Sequence, residues 1–203
     1  MSDLVTLFLQ AAFVENMPLT FFLGLCTFIA LSRRPSSAVG LGVAMIAVLG
    51  VTVPLNHLIY AALLAPGALG WAGMPALDLS YLSLIAFIGV IAAVVQLLEM
   101  VLDRFFPAIY TAFGVFLPLL TVQCAILGGS LFMVERRYDL AESAVFGLGA
   151  GTGFAVAVVM LGAIRARLAY ADLPDGLRGL GITFVIAGMM SLGFSAFAQM
   201  VAS

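Results

Sequence analysis

The chain has 203 residues, of which 64% are hydrophobic and 9% charged, with a formal net charge of −2 and a mean hydropathy of +1.23. That usage lies well outside soluble globular domains, and no basic cluster suits nucleic acid. The two cysteines each sit inside an apolar stretch, which excludes a secreted disulfide framework.

A membrane-spanning helix needs about 20 mostly apolar residues. The chain supplies six such stretches: Leu4–Leu31, Ser37–Leu64, Tyr81–Leu102, Phe105–Val134, Leu140–Ile164 and Leu177–Ala202. Almost nothing is left for a soluble domain, so the expected fold is an all-α integral membrane protein, with residues 1–203 forming a single membrane domain. The start carries Asp3 and Glu15 but no Lys or Arg. It therefore lacks the positive region of a signal peptide, and the first span is expected to be retained.

The first span holds Glu15, Asn16, Pro18 and Cys26 within apolar sequence. Proline removes a backbone donor and disturbs the preceding turn, so two half-helices meeting near mid-membrane are expected in place of one straight helix. In the second span Pro54 and the pair Asn56-His57 are expected to interrupt the outer part, with the two polar side chains satisfying the freed backbone. The loop Ala65–Asp78 is rich in Gly and Pro, and its Trp71 suits the membrane interface. The third span ends in QLLEMVLDRF, which sets Gln96, Glu99 and Asp103 along one helical face. Glu99 and Asp103 lie within a turn or so of the cytoplasmic end, where water or Arg104 satisfies them; a functional ionisable group inside the membrane is the competing reading. Glu15 and Asn16 lie deeper and are read as capping or bridging a broken helix.

The fourth span repeats the first: one proline (Pro118), one cysteine (Cys124), glycines at 128 and 129, and a closing Arg136-Arg137 that answers Arg33-Arg34. It too is expected to be broken. The fifth carries Gly147, Gly149, Gly151 and Gly153, small residues spaced to let neighbouring helices approach closely. A charged loop, Arg165–Arg178, precedes the sixth. Ser37-Ala38-Val39 matches Ser143-Ala144-Val145, so the chain reads as a duplication of about 1–103 and 104–203. Three spans per half is an odd number, and the second half must then be inverted, as in transport proteins whose sites form near the midplane from broken helices. All eight cations are arginines. With the N-terminus outside, six of them (Arg33, Arg34, Arg104, Arg165, Arg167, Arg178) fall in cytoplasmic loops and two (Arg136, Arg137) outside, which favours periplasmic termini.

A single buried cysteine is usually a small hydrophobe. These are the only two, and they hold related places in the two halves, so symmetry is expected to bring Cys26 and Cys124 to one site. Zinc or a two-iron cluster takes about four protein ligands, and His57 is the only histidine. A metal site then needs another protein chain for the remaining ligands, and half-helix N-termini would stabilise thiolates there. A solute permease, with the cysteines as packing residues, is the rival class.

The strings ENMPLTFFLGLCTFIALSRR, FIGVIAAVVQLLEMVLDRFFPAIY, FGVFLPLLTVQCAILGG and ERRYDLAESAVFGLGAG resemble the family of E-type subunits of the sodium-translocating NADH:quinone reductases. The A-type subunit of the Rnf ferredoxin:NAD oxidoreductases is the related alternative. The resemblance implies six spans as inverted repeats in the bacterial inner membrane, paired with a homologous D-type subunit of opposite orientation. It makes Cys26 and Cys124 two of the four ligands of an intramembrane [2Fe-2S] cluster, with the D-type subunit giving the other two. Electrons would come from the NADH-oxidising flavin and iron-sulfur subunit on the cytoplasmic side and pass to FMN on the periplasmic side. FAD, FMN and riboflavin would reside among the A-, B-, C- and F-type subunits, where NADH and ubiquinone also act. Sodium export would be coupled to conformational change of this region, with Glu99 as a polar contact on the ion route.

Overall fold

The computed structural model describes residues 2–32, 35–64, 82–105, 120, 123–170 and 179–202. These are helical throughout their regular elements, with no strand among them. In chain order the helices are α1 (Ser2–Leu9), α2 (Met17–Thr20), α3 (Leu25–Leu31), α4 (Pro35–Ile59), α5 (Ser83–Phe105), α6 (Cys124–Glu135), α7 (Leu140–Leu168) and α8 (Leu180–Ala202). A π-helical turn, Gln10–Val14, follows α1, and another, Tyr60–Leu64, follows α4. Among the described residues, three segments are long and apolar enough to cross a membrane: Ser36–Leu64, Ser83–Phe105 and Leu140–Leu168. Shorter apolar helices cover Asp3–Val14, Cys124–Glu135 and Leu180–Ala196.

The chain forms two compact units, Met1–Ala47 with Leu148–Ser203, and Val48–Gly147. In the first, the opening span is broken twice. The π-helical turn closes when the Glu15 N–H donates to the Gln10 carbonyl at 2.8 Å, and Asn16 then turns extended. The four-residue α2 restarts with the Leu19 and Thr20 N–H groups donating to the Asn16 carbonyl. Pro18 lies in its first turn, where a missing N–H costs nothing. The second break falls at Phe22 and Gly24, with φ of 56° and 82°. A bulky side chain rarely accepts the left-handed region, and at Phe22 it is held there between two short helices.

Glycines set the packing of α7 in this unit. A Cβ on Gly151 would lie 2.7 Å from the Ile46 Cα, and one on Gly149 2.9 Å from the Phe8 carbonyl oxygen. Gly42 meets Ala155 in the same way, with a Cβ at 2.8 Å from the Ala155 Cβ. The small residues expected to draw helices together therefore do so on two faces, one toward α4 and one toward the N-terminal segment. Phe28 and Phe154 meet edge to face, 6.3 Å between centroids, within a buried core that includes Met17, Leu19, Leu41, Met45 and Leu161. Helix α8 packs on α2 and the first π-helical turn, and its Ser191 hydroxyl donates to the Leu19 carbonyl.

In the second unit α5 packs on α6. Gly129 and Gly147 both abut α4: a Cβ on Gly147 would sit 2.6 Å from the Leu49 carbonyl oxygen. Tyr138 and Phe146 pack at 5.3 Å between centroids. The turn from α6 to α7 passes through Arg137 at φ 53°. It ends in a capping arrangement: Glu142 accepts from the Asp139 N–H at 3.1 Å, and Asp139 accepts from the Ser143 N–H through its carbonyl at 2.8 Å. One face of α5 is open, with Ile85 at 68% and Leu97 at 58% exposure, as suits contact with lipid or another chain.

Several expectations need correction. Pro54 lies inside α4 without interrupting it, because helices packed tightly against α4 at Leu49 and Val53 hold the helix through the missing hydrogen bond. Asn56 does not serve the freed backbone; its amide donates to Ser130 at 2.7 Å. Arg165 and Arg167 lie in the last turn of α7 and not in a loop. The loop with Trp71, the first half of the fourth span, the pair Arg33-Arg34 and Arg178 lie outside the described residues.

Candidate functional site

Cys26 is the second residue of α3, in the first unit, and Cys124 the first residue of α6, in the second. Each follows a residue that cannot continue a helix backwards: Gly24 is left-handed, and Gln123 is extended at φ −78° and ψ 120°. The helices then start on the carbonyls of those residues, Phe28 N–H donating to Gly24 at 3.0 Å and Ile126 N–H to Gln123 at 3.2 Å. Both sulfurs thus lie where the unpaired N–H groups of a helix start create positive potential, a setting that suits the negative charge of a metal-bound sulfur.

Both cysteines are exposed, although Thr27, Phe28, Ala125 and Ile126 beside them are buried. Core-packing cysteines would be covered by this chain; these face outward. Among the described residues no three His, Cys, Asp or Glu side chains cluster as a metal site. Each thiol, taken by itself, is an exposed soft donor of the kind that ligates iron-sulfur groups.

The far end of α3 is pinned by an arginine that sequence reading placed only by its charge. Arg165 Nη1 donates to the Ile29 carbonyl at 3.0 Å and to Ser32 Oγ at 2.7 Å, and Ser32 in turn donates to Ile29 at 3.0 Å. A cation at a helix C-terminus offsets the dipole and the unpaired carbonyls there. Arg165→Met is expected to cost about 2–3 kcal/mol, the worth of charge-assisted hydrogen bonds at a half-buried site. Arg165→Lys should recover part of it, and thermal unfolding in detergent checks both.

Asn16 is fully buried and bridges: its Nδ2 donates to the Ala12 carbonyl at 3.1 Å and the Gly153 carbonyl at 2.8 Å. Its side chain does not cap α2, so of the two roles expected for it the bridge is the one observed. Glu15 is half-buried and accepts from Gln10 Nε2 at 3.2 Å. Glu99 is half-buried on α5, between exposed Gln96 and exposed Asp103. Sequence reading missed Gln123, which is 2% exposed with neither amide atom hydrogen-bonded among the described residues; its place directly before Cys124 was the available signal.

Residues 4–201 match the family model of Rnf-Nqr subunits, described as membrane proteins. Over 197 residues, 97% of this chain and 98% of the relative, the sequence is 61% identical to the E subunit of the Na(+)-translocating NADH-quinone reductase of Ectopseudomonas mendocina. It is 62% identical over 193 residues to the E subunit from Hahella chejuensis, covering 95% of each chain, and 59% identical to that of Idiomarina loihiensis over 197 residues, 97% of this chain and 98% of the relative.

Proposed function

The chain belongs to the Rnf-Nqr family of membrane subunits, and from that premise we propose that it works as the E-type subunit of a sodium-translocating NADH:quinone reductase, carrying half of an intramembrane redox site. The observation that carries the redox role is the pair of outward-facing cysteines, one at each of two helix starts. Relatives named for the quinone reductase along almost their whole length favour this form over the Rnf-type complex and over a solute permease.

In this reading Cys26 and Cys124 are two ligands of a [2Fe-2S] group, and a homologous D-type subunit of opposite orientation supplies the other two. When bound, such a group supplies a one-electron relay between the cytoplasmic and periplasmic sides. The chain's own part is to hold two thiolates on rigid starts. The left-handed Gly24 and the Arg165 clamp fix the two ends of α3, and the extended backbone of Gln123 sets the start of α6. The termini lie on the periplasmic side of the inner membrane, by the arginine distribution. Glu99 borders the ion route, and the flavins FAD, FMN and riboflavin belong to the companion subunits, where NADH and ubiquinone react.

Purification of the whole complex, with iron and acid-labile sulfide measured against a preparation lacking the D-type subunit, tests the reading. A share of the iron and sulfide, in equal amounts, is expected to be lost with that companion chain, while the iron of the NADH-oxidising subunit stays. A flavin-containing, active complex with no iron assignable to the membrane pair would overturn it.

A further inference from the structure

Helix α3 is seven residues long, so a charge at one end is not remote from the other. Cys26 is its second residue, and the carbonyl that accepts from Arg165 Nη1 belongs to Ile29, three residues on. With a rise of about 1.5 Å per residue, the guanidinium lies about 10 Å from the Cys26 sulfur. Two bonds from one nitrogen, 3.0 Å to the Ile29 carbonyl and 2.7 Å to Ser32 Oγ, keep it there. What separates the two groups is protein and not water. Thr27, Phe28, Ile29 and Ser32 are all buried, and Phe28 packs on Phe154 of α7, the helix that carries Arg165. Through such a medium a fixed charge is screened far less than at a surface. Arg167, two positions further on α7, is exposed, and its charge is left to the solvent and its ions.

We propose that Arg165 sets the reduction potential of the one-electron group held at Cys26. The inference rests on the reading of Cys26 as a ligand of that group. One-electron reduction adds one negative charge there, with no proton taken up and no leaving group; in the complex the electron originates in the oxidation of NADH. A fixed cation nearby therefore favours the reduced form. At about 10 Å and an effective dielectric constant of about 20, the attraction changes the ratio of reduced to oxidised forms by about tenfold. For a single electron that ratio corresponds to about 59 mV of midpoint potential. The clamp and the field are separable roles: the hydrogen bonds hold α3, and only the charge acts on the electron. Arginine suits the second role because it does not deprotonate in proteins, so the field is constant across physiological pH.

The test is a redox titration of the whole purified complex, followed by electron paramagnetic resonance of its iron-sulfur signals. The signal that belongs to this chain is the one that Cys26→Ser removes. Arg165→Gln keeps an N–H donor for Ile29 but carries no charge, and it is expected to lower the midpoint of that signal by about 59 mV, a tenfold fall in the reduced-to-oxidised ratio at fixed potential. Arg165→Lys keeps the charge with a different donor geometry, and Arg167→Gln removes an equal charge from an exposed position; both ratios should stay within about twofold of wild type. Where Arg165→Gln does not accumulate, Ser32→Asp cancels the charge in place by pairing with it, and the same fall is expected. A clamp that acts through shape alone shifts the Lys and Gln variants equally, and that result overturns the proposal. So does a ratio within about twofold of wild type in the charge-cancelled variant, or an equal fall in Arg167→Gln; in each case Cys26 remains a ligand. A wild-type complex with no signal that depends on Cys26 removes the redox reading itself, and the inference falls with it.

Discussion

Cys26→Ser and Cys124→Ser are each expected to strip iron from the membrane pair to background and to stop NADH-driven quinone reduction, while the complex still assembles. Serine keeps the shape of cysteine but offers a hard, protonated oxygen in place of a soft thiolate. Because both cysteines are exposed, neither substitution opens a cavity, and the effect on folding stays within about 0.5 kcal/mol, as for surface changes generally. Loss of iron with an unchanged melting temperature separates a ligand from a packing residue. A packing cysteine would show the reverse, with iron and turnover retained. Full iron in both single variants would falsify the redox role of this chain.

The breaks in the first span were legible because Glu15, Asn16 and Pro18 cannot sit at mid-helix in an apolar segment at low cost. Their exact form was not. The same residue type gives opposite outcomes at Pro18, which opens α2, and at Pro54, which α4 absorbs. A proline in an isolated helix interior costs about 3 kcal/mol, but the glycine-lined contact of α7 and α6 with Leu49 and Val53 keeps α4 helical through it. That contact depends on partners far along the chain, which local pattern does not encode. Asn56 and Ser130 are 74 positions apart and Arg165 and Ile29 are 136 apart. The small-residue spacing of the fifth span foretold close approach; which carbonyls would be approached came only from the fold. The cysteines were legible by rarity alone, and their exposure at helix starts needed the structure.

Gly153→Val is expected to prevent accumulation of folded chain, because the obstacle is backbone. A Cβ at position 153 would overlap the Ala12 carbonyl oxygen and lie 3.0 Å from the Ala12 carbonyl carbon. No rotamer change relieves that contact; α7 and the first π-helical turn must part. Asn16 bridges the carbonyls of these same two residues, so parting them also strands the buried N–H donor aimed at Gly153, while the bond to Ala12 stays within the N-terminal segment. Overpacking costs about 1–3 kcal/mol and the stranded donor about 1–3 kcal/mol, a sum that reaches the lower end of a whole stability of about 5–15 kcal/mol. Asn16→Asp tests the bridge without the clash: it replaces two donors by an acceptor facing two carbonyls, and it should be worse than Asn16→Ala, which only removes the bonds. Gly188→Ala supplies the control, since a Cβ there meets nothing within 4 Å, and alanine in a helix should be neutral or stabilising by up to about 1 kcal/mol. Melting temperatures of the detergent-solubilised chain order the variants. If Gly153→Val melted with wild type, α7 would not be seated on the N-terminal segment. If Asn16→Asp were milder than Asn16→Ala, the Asn16 amide would not be the donor that joins them.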